Sequence, residues 1–249
     1  MFAMPPKISI VRHAQGYHNL TGDSTLHDPL LTPLGKSQCT HLRRTYPHHS
    51  TISLILSSPL RRTIQTAAYS FAPALEREEV KFVCLPELQE VGDCASDTGT
   101  DVHKLGEAVA EMFRGEGEEF EWVGGKVDLS LVGEGWNCNQ GYYAHKYAAL
   151  AKRGADVRRY LFTLSRQHPH IVVVTHGAIA HFITEDWAVA DPMLGTTYRN
   201  CEVREFRFGE GSTEGGNVKL VESRGRRVVY AGEEEGVVDI DVGVEVGRL

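Results

Sequence analysis

Ile8-Ser9-Ile10-Val11, running straight into Arg12-His13-Ala14-Gln15-Gly16-Tyr17-His18-Asn19, is the stretch on which the reading of this chain turns. β-Branched residues at Ile8, Ile10 and Val11 in an apolar run are the mark of a strand buried in an α/β sheet, and the run stops abruptly at an arginine and a histidine. In open α/β sheets the crevice beyond the carboxyl ends of the strands is the usual ligand site. Alone, such a pair could simply cap a strand and meet solvent.

Two further stretches change that balance. Ile171 to Thr175 is an uninterrupted β-branched run that also stops at a histidine, His176, followed by Gly177 and a helical pattern from Ala178 to Trp187. Ile52 to Leu56 reads as a strand that passes through Ser57, Ser58 and Pro59 into a helix opening on Leu60, Arg61 and Arg62. Three strand ends then supply two imidazoles and at least two guanidiniums, the equipment for binding and attacking a phosphoryl group.

These residues resemble the histidine phosphatase superfamily in its phosphoglycerate mutase-like branch. Arg12, His13 and Asn19 match the family's first motif, Ser58, Leu60, Arg62, Thr66 and Ala67 its second, and Val172 to Gly177 its third, in family order. Leu31, Thr32 and Gly35 fit the segment leading into the family's first helix. One departure stands out: Ala14 and Gln15 occupy places where the family usually has glycine and glutamate. The resemblance implies a three-layer α/β/α fold with a mostly parallel central sheet. Length and composition favour one domain over residues 1–222, the resemblance places an insertion around 94–141, and the changed charge pattern past Glu222 marks a tail over 223–249 that is an edge strand, a flexible end or a docking segment.

The resemblance also assigns roles. His13 is the expected nucleophile. Arg12, Arg62 and His176 hold the phosphoryl oxygens, with Gly177 beside them, and Asn19 either adds a neutral donor or orients the pocket. Family register favours Arg62 over Arg61, whose direction differs by about 100° on a helix. The acid that protonates the leaving oxygen comes after a strand at Val80 to Leu85, and a leucine-any-glutamate pattern selects Glu90, with Glu87 and Asp93 as rivals. No metal and no cofactor are expected, since guanidiniums take the place of a metal's charge. The implied activity is a phosphomonoesterase working through a phosphohistidine on a small phosphorylated metabolite. Its alternatives are a mutase-type phosphotransferase, or a non-catalytic or repurposed binding protein. The family's mutases carry an arginine pair after a tryptophan in the insertion, whereas Trp122 precedes Val123-Gly124 and Trp136 precedes Asn137-Cys138.

Composition sets the outer limits. With 249 residues at 41% apolar, the chain can bury one large core. A net charge of −7 argues against nucleic acid as a partner, although local arginines can still make a positive cleft. Neither an export signal nor an apolar run of membrane length is evident, and five scattered cysteines favour free thiols, so a cytoplasmic protein is expected. A homodimer is open.

Elsewhere the pattern is local. Thr32-Pro33 signals the start of a helix to about Tyr46, and a longer helical pattern spans Tyr142 to Gln167 with Tyr147, Leu150, Val157, Leu161 and Leu164 on one face. A helix is expected within 99–114, and a hairpin from Val203 to Phe208 with Val218 to Val221. His48 and His49 are expected at the surface. Trp122 and Trp136 could line a lid or anchor it.

Overall fold

A computed structural model describes residues 5–187, 191–193 and 198–223. The expectation for the tail falls, from residue 224 onward, outside the described residues. Among those described, seven strands form one sheet: β1 Lys7–Arg12, β2 Leu54–Ser57, β3 Lys81–Cys84, β4 Val127–Asp128, β5 His170–Thr175, β6 Val203–Phe208 and β7 Leu220–Glu222. Their order is β4-β3-β2-β5-β1-β6-β7; the first five positions run parallel, β6 is antiparallel to β1, and β7 is antiparallel to β6. The helices are α1 Tyr17–Thr21, α2 Pro33–Thr45, α3 Arg61–Leu75, α4 Val102–Phe113, α5 Glu118–Glu121, α6 Tyr147–Leu164 and α7 Gly177–Thr184.

The period of two in each strand divides the core between two faces. Val11, Ile55, Phe82, Val172 and Val174 point into a cluster with α2, α3 and α4, while Ile8, Ile10, Leu54, Leu56, Ile171 and Val173 meet α6 and α7. Both faces of the central strands are covered, which is why they read as near-continuous apolar runs. The three-layer α/β/α architecture expected from the sequence is the one observed.

Several local expectations are revised. Tyr147 does not join the buried face of α6; it is 55% exposed at the first position of the helix, with its ring edge against Phe182 and near Trp187. Trp136 is 2% exposed with its ring against Gly99, where any Cβ would stand 2.0 Å from the indole; Trp122 is 37% exposed. The first tryptophan of the insertion is thus surface-borne and the second anchors the segment. Residues 94–141 are woven into the fold, contributing edge strand β4 and core residues from Leu105 to Val132. His48 and His49 are half-buried, not wholly superficial, because both pack edgewise on Tyr46.

His170 opens β5 at the far end of the sheet from the strand ends discussed below. Its Nδ1 meets the Thr51 hydroxyl at 2.8 Å, and its Nε2 meets Ser9 Oγ at 3.0 Å and the Tyr46 hydroxyl at 3.1 Å. Burial, with Lys7 and His48 nearby, lowers its pKa from 6.5 to about 3. The unfolded chain therefore binds a proton here that the folded one refuses, and the stability tied to His170 is present above pH 6.5 and lost as pH falls toward about 3. Denaturant unfolding at pH 7 and pH 5 should show a loss steeper in the wild type than in His170→Gln, by up to about 1.4 kcal/mol per pH unit. Equal slopes would contradict the buried neutral imidazole.

Candidate active site

The sheet register brings the two histidines together. Arg12 pairs with Thr175 across β1 and β5, and the His13 N–H donates to the Thr175 carbonyl at 2.9 Å. His13 and His176 are thus the first residues beyond paired positions on neighbouring parallel strands. Their ring centroids lie 5.1 Å apart with planes at 61°.

The backbone at His13 is clamped. Its carbonyl accepts from Cys201 N–H at 3.3 Å and from Asn200 Nδ2 at 2.9 Å, in a turn where Cys201 adopts a left-handed φ of 62°. The His13 side chain is buried and its Nδ1 lies 2.7 Å from the Ala14 carbonyl oxygen. A carbonyl only accepts, so Nδ1 carries the proton and Nε2 of the neutral ring keeps its lone pair. Burial, Arg62, Arg12 and His18 hold the His13 pKa well below its usual value.

Arg62 is 1% exposed and sits at the start of α3. It donates to the Ser96 carbonyl at 2.5 Å, to Asp97 Oδ1 at 2.9 Å and to His176 Nδ1 at 3.1 Å. A guanidinium only donates, so His176 Nδ1 accepts and its Nε2–H donates to Ser58 Oγ, 2.9 Å away. Burial and the surrounding cations depress the His176 pKa as well, with Arg62 the nearest charged cause. Arg61, one residue earlier, turns away to the Asp28 carbonyl and carboxylate. Arg12 donates to the Tyr198 carbonyl at 2.7 Å. The Nε–H groups of Arg12 and Arg62 are both buried without an acceptor. Two buried cationic donors with unmet hydrogen bonds suit an anion.

Three carboxylates were in contention for the acid. Glu90 accepts from Val91 N–H and Ile179 N–H at 3.0 Å each, and from Ala178 N–H at 3.3 Å, which seats it on the first turn of α7 next to His176. Burial and then Asp97 raise its pKa, against the downward pull of those hydrogen bonds and of Arg62. Glu87 lies on the other side, among Tyr142, Tyr143 and Arg153, with Oε2 buried and unpartnered. Asp93 is exposed. Of the three, Glu90 alone bears on both Arg12 and Arg62.

Asn19 is exposed, and its Oδ1 accepts from Gly16 N–H at 3.1 Å. Of its two expected roles, this contact serves orientation. Gly177 is the first residue of α7. The unusual Ala14 and Gln15 are accommodated: Ala14 is fully buried with its N–H on Thr66 Oγ1, and the Gln15 side chain accepts from Thr32 Oγ1 at 2.8 Å. Gly35 is required beside them, since a Cβ there would stand 2.2 Å from the Gln15 carbonyl oxygen.

Two residues of the site escaped the sequence reading. Asp97 pairs with Arg62 from a three-residue 3₁₀ turn, and His18 lies 5.6 Å from the His13 ring, centroid to centroid. Neither stands on an element long enough to show periodicity; only the presence of an imidazole five positions past His13 could have flagged the second. Arg153, also unassigned from sequence, is fully buried and donates to the Gln89 carbonyl at 2.9 Å and the Glu90 carbonyl at 3.3 Å. Among the described residues no group of three or more His, Cys, Asp or Glu is arranged to hold a metal ion, and no helix is long and apolar enough to cross a membrane.

Comparison with known proteins agrees in one direction. Residues 8–218 match the family model described as histidine phosphatase superfamily (branch 1). A phosphoglycerate mutase-like protein of Arabidopsis thaliana is 40% identical over 237 residues, covering 80% of this chain and 83% of that protein. A probable phosphatase of Schizosaccharomyces pombe is 34% identical over 96 residues, 37% of this chain and 44% of that protein. In fold, the chain is similar to a phosphoserine phosphatase of Entamoeba histolytica solved with phosphoserine, at 19% identity and a TM-score of 0.50, over 86% of this chain and 94% of that one.

Proposed function

The chain belongs to the histidine phosphatase superfamily, and from that membership we propose that it is a metal-independent phosphomonoesterase acting through a phosphohistidine on a small phosphorylated metabolite. The observation that carries this reading is the unprotonated Nε2 of a buried His13 set among His176 and two guanidiniums with unmet N–H donors.

Each step follows from a named atom. The His13 Nε2 lone pair attacks phosphorus while the bond to the ester oxygen breaks. Arg12 and Arg62 stabilise the equatorial oxygens as charge shifts, the positioning and electrostatic work on which phosphoryl transfer mostly depends. Glu90, whose pKa burial raises, gives a proton to the departing alkoxide. The resulting carboxylate then takes a proton from water as that water attacks phosphorus, the P–N bond breaks, and inorganic phosphate leaves. His176, expected among the groups that hold the phosphoryl oxygens, has both ring nitrogens engaged by Arg62 and Ser58, so it braces the nest and reaches an oxygen only by letting Ser58 go.

Asp97 competes with phosphate for Arg62 only in part, because the guanidinium retains Nε–H for an incoming oxygen. Nothing in this scheme needs a nucleic acid or a membrane surface. A panel of phosphorylated sugars, nucleotides, hydroxy acids and peptides, assayed in chelator, should yield inorganic phosphate from at least one member without a bisphosphate primer. Phosphate moving between positions of the substrate without release, or activity only with added divalent metal, would overturn the proposal.

A further inference from the structure

His18 is the second residue of α1, a five-residue helix whose placement is unusually constrained. Gly16 before it bridges to Leu31 and donates to Asn19 Oδ1, and Gly22 after it ends the helix with a φ of 68°. The imidazole lies against the Gly16 backbone, where a Cβ would stand 2.8 Å from both His18 Cε1 and Nδ1. Glycine at 16 is therefore what gives the ring its place.

That place is the wall of the nest. The ring centroid lies 5.6 Å from that of His13, and Arg62 and Arg12 are the charged groups that bear on it. His18 in turn bears on His13 and His176. Its Nδ1 is sealed from solvent and has no hydrogen-bond partner. A buried N–H without an acceptor is costlier than a buried bare lone pair, so the ring proton belongs on Nε2, the nitrogen that is not sealed.

We infer that His18 is a substrate-contacting residue whose Nε2–H donates to the phosphoryl group held between Arg12 and Arg62. The inference rests on the phosphomonoesterase reading and adds a third imidazole to it. Burial and the two guanidiniums lower the His18 pKa to about 3, so the empty site is spared a further positive charge. An arriving phosphate dianion offsets those guanidiniums and raises the ring's affinity for a proton, which converts a neutral donor into a charge-assisted one. The facing groups that set this balance are His13, His176, Arg12 and Arg62.

The test compares wild type with His18→Gln, His18→Asn and His18→Ala. Two quantities are read: kcat/KM on p-nitrophenyl phosphate, and inorganic phosphate binding by calorimetry in two buffers of different ionisation enthalpy. The glutamine amide nitrogen reaches the place of Nε2, whereas that of asparagine reaches the place of Nδ1. Alanine and asparagine should therefore lose about 10–100-fold in both quantities, and glutamine should recover most of the loss. Proton uptake on phosphate binding should shrink in all three variants. Equal behaviour of glutamine and asparagine, or alanine within about threefold of wild type, would overturn the inference.

Nitrogen-15 histidine spectra of the unsubstituted protein provide a readout that needs no variant. Inorganic phosphate should shift the His18 Nε2 resonance, and an unmoved resonance counts against the contact. A wild type that binds phosphate through His18 yet releases none from esters would sink the catalytic reading and leave this contact standing. A wild type that hydrolyses esters with His18 silent would do the reverse.

Discussion

His13→Ala is expected to lower turnover by at least about 10⁴-fold, since without the nucleophile only binding and electrostatic stabilisation remain. The substitution removes a ring that touches His18 and His176 but leaves the β1 to β5 ladder and the backbone clamp from Cys201 and Asn200 in place. The fold should survive, and its melting transition is the control. Rapid quenching of the wild type during turnover should trap phosphate that is labile in acid and stable in base. Because Nδ1 donates to the Ala14 carbonyl, the label should sit on Nε2. The variant should carry none. An unchanged rate, or equal labelling in both proteins, would remove His13 from the reaction path.

The second large effect concerns Glu90→Gln. Glutamine keeps the shape and can still accept from the N–H groups of Val91 and Ile179, so α7 should stay capped. What it loses is the proton. Alkyl phosphates, whose leaving oxygen needs protonation, should slow by about 10²–10⁴-fold, and aryl phosphates by at least tenfold less. Equal losses on both would take the acid's role away from Glu90. Hydrolysis of preformed phosphoenzyme should slow for either substrate class, because the same carboxylate is the base for water.

How much of this was legible from sequence depended on the length of the element carrying each residue. Strands β1 and β5 announce themselves as apolar β-branched runs because both faces of the sheet are covered, and the histidines that end them follow directly. The start of α3 was readable as a strand-to-helix turn, and the family resemblance then picked Ser58, Arg62 and Thr66 from it. Helix ends were less so: α3 runs to Leu75 through a non-helical Phe71 and a proline at 73, a residue that would ordinarily mark the end of a helix.

The middle segment was the least readable. Trp122 and Trp136 are the same residue type in the same Gly- and Glu-rich surroundings, yet one is exposed and the other is packed on Gly99. The difference is a tertiary contact, which no local periodicity encodes. The two-residue strand β4 is similarly invisible until β3 provides its partner. His18 and Asp97 were missed because α1 and the turn at 95–97 are too short to show a pattern. Glu90 was reachable only through the family resemblance, since its choice over Glu87 and Asp93 depends on where α7 begins.

One feature of the sheet bears on how such a protein diversifies. The spacing of His13 and His176 is inherited from the ladder between two central parallel strands. Ångström-level tolerance at the reacting centre thus rests on strands that are paired on both sides and buried on both faces. The segment from 94 to 141 reaches that centre only through its first few residues, at Ser96 and Asp97. The exposed turns between its core elements, at 114–117 and 133–135, are at liberty to lengthen, shorten or change composition, so new clients can be recruited without retuning the bond-breaking apparatus.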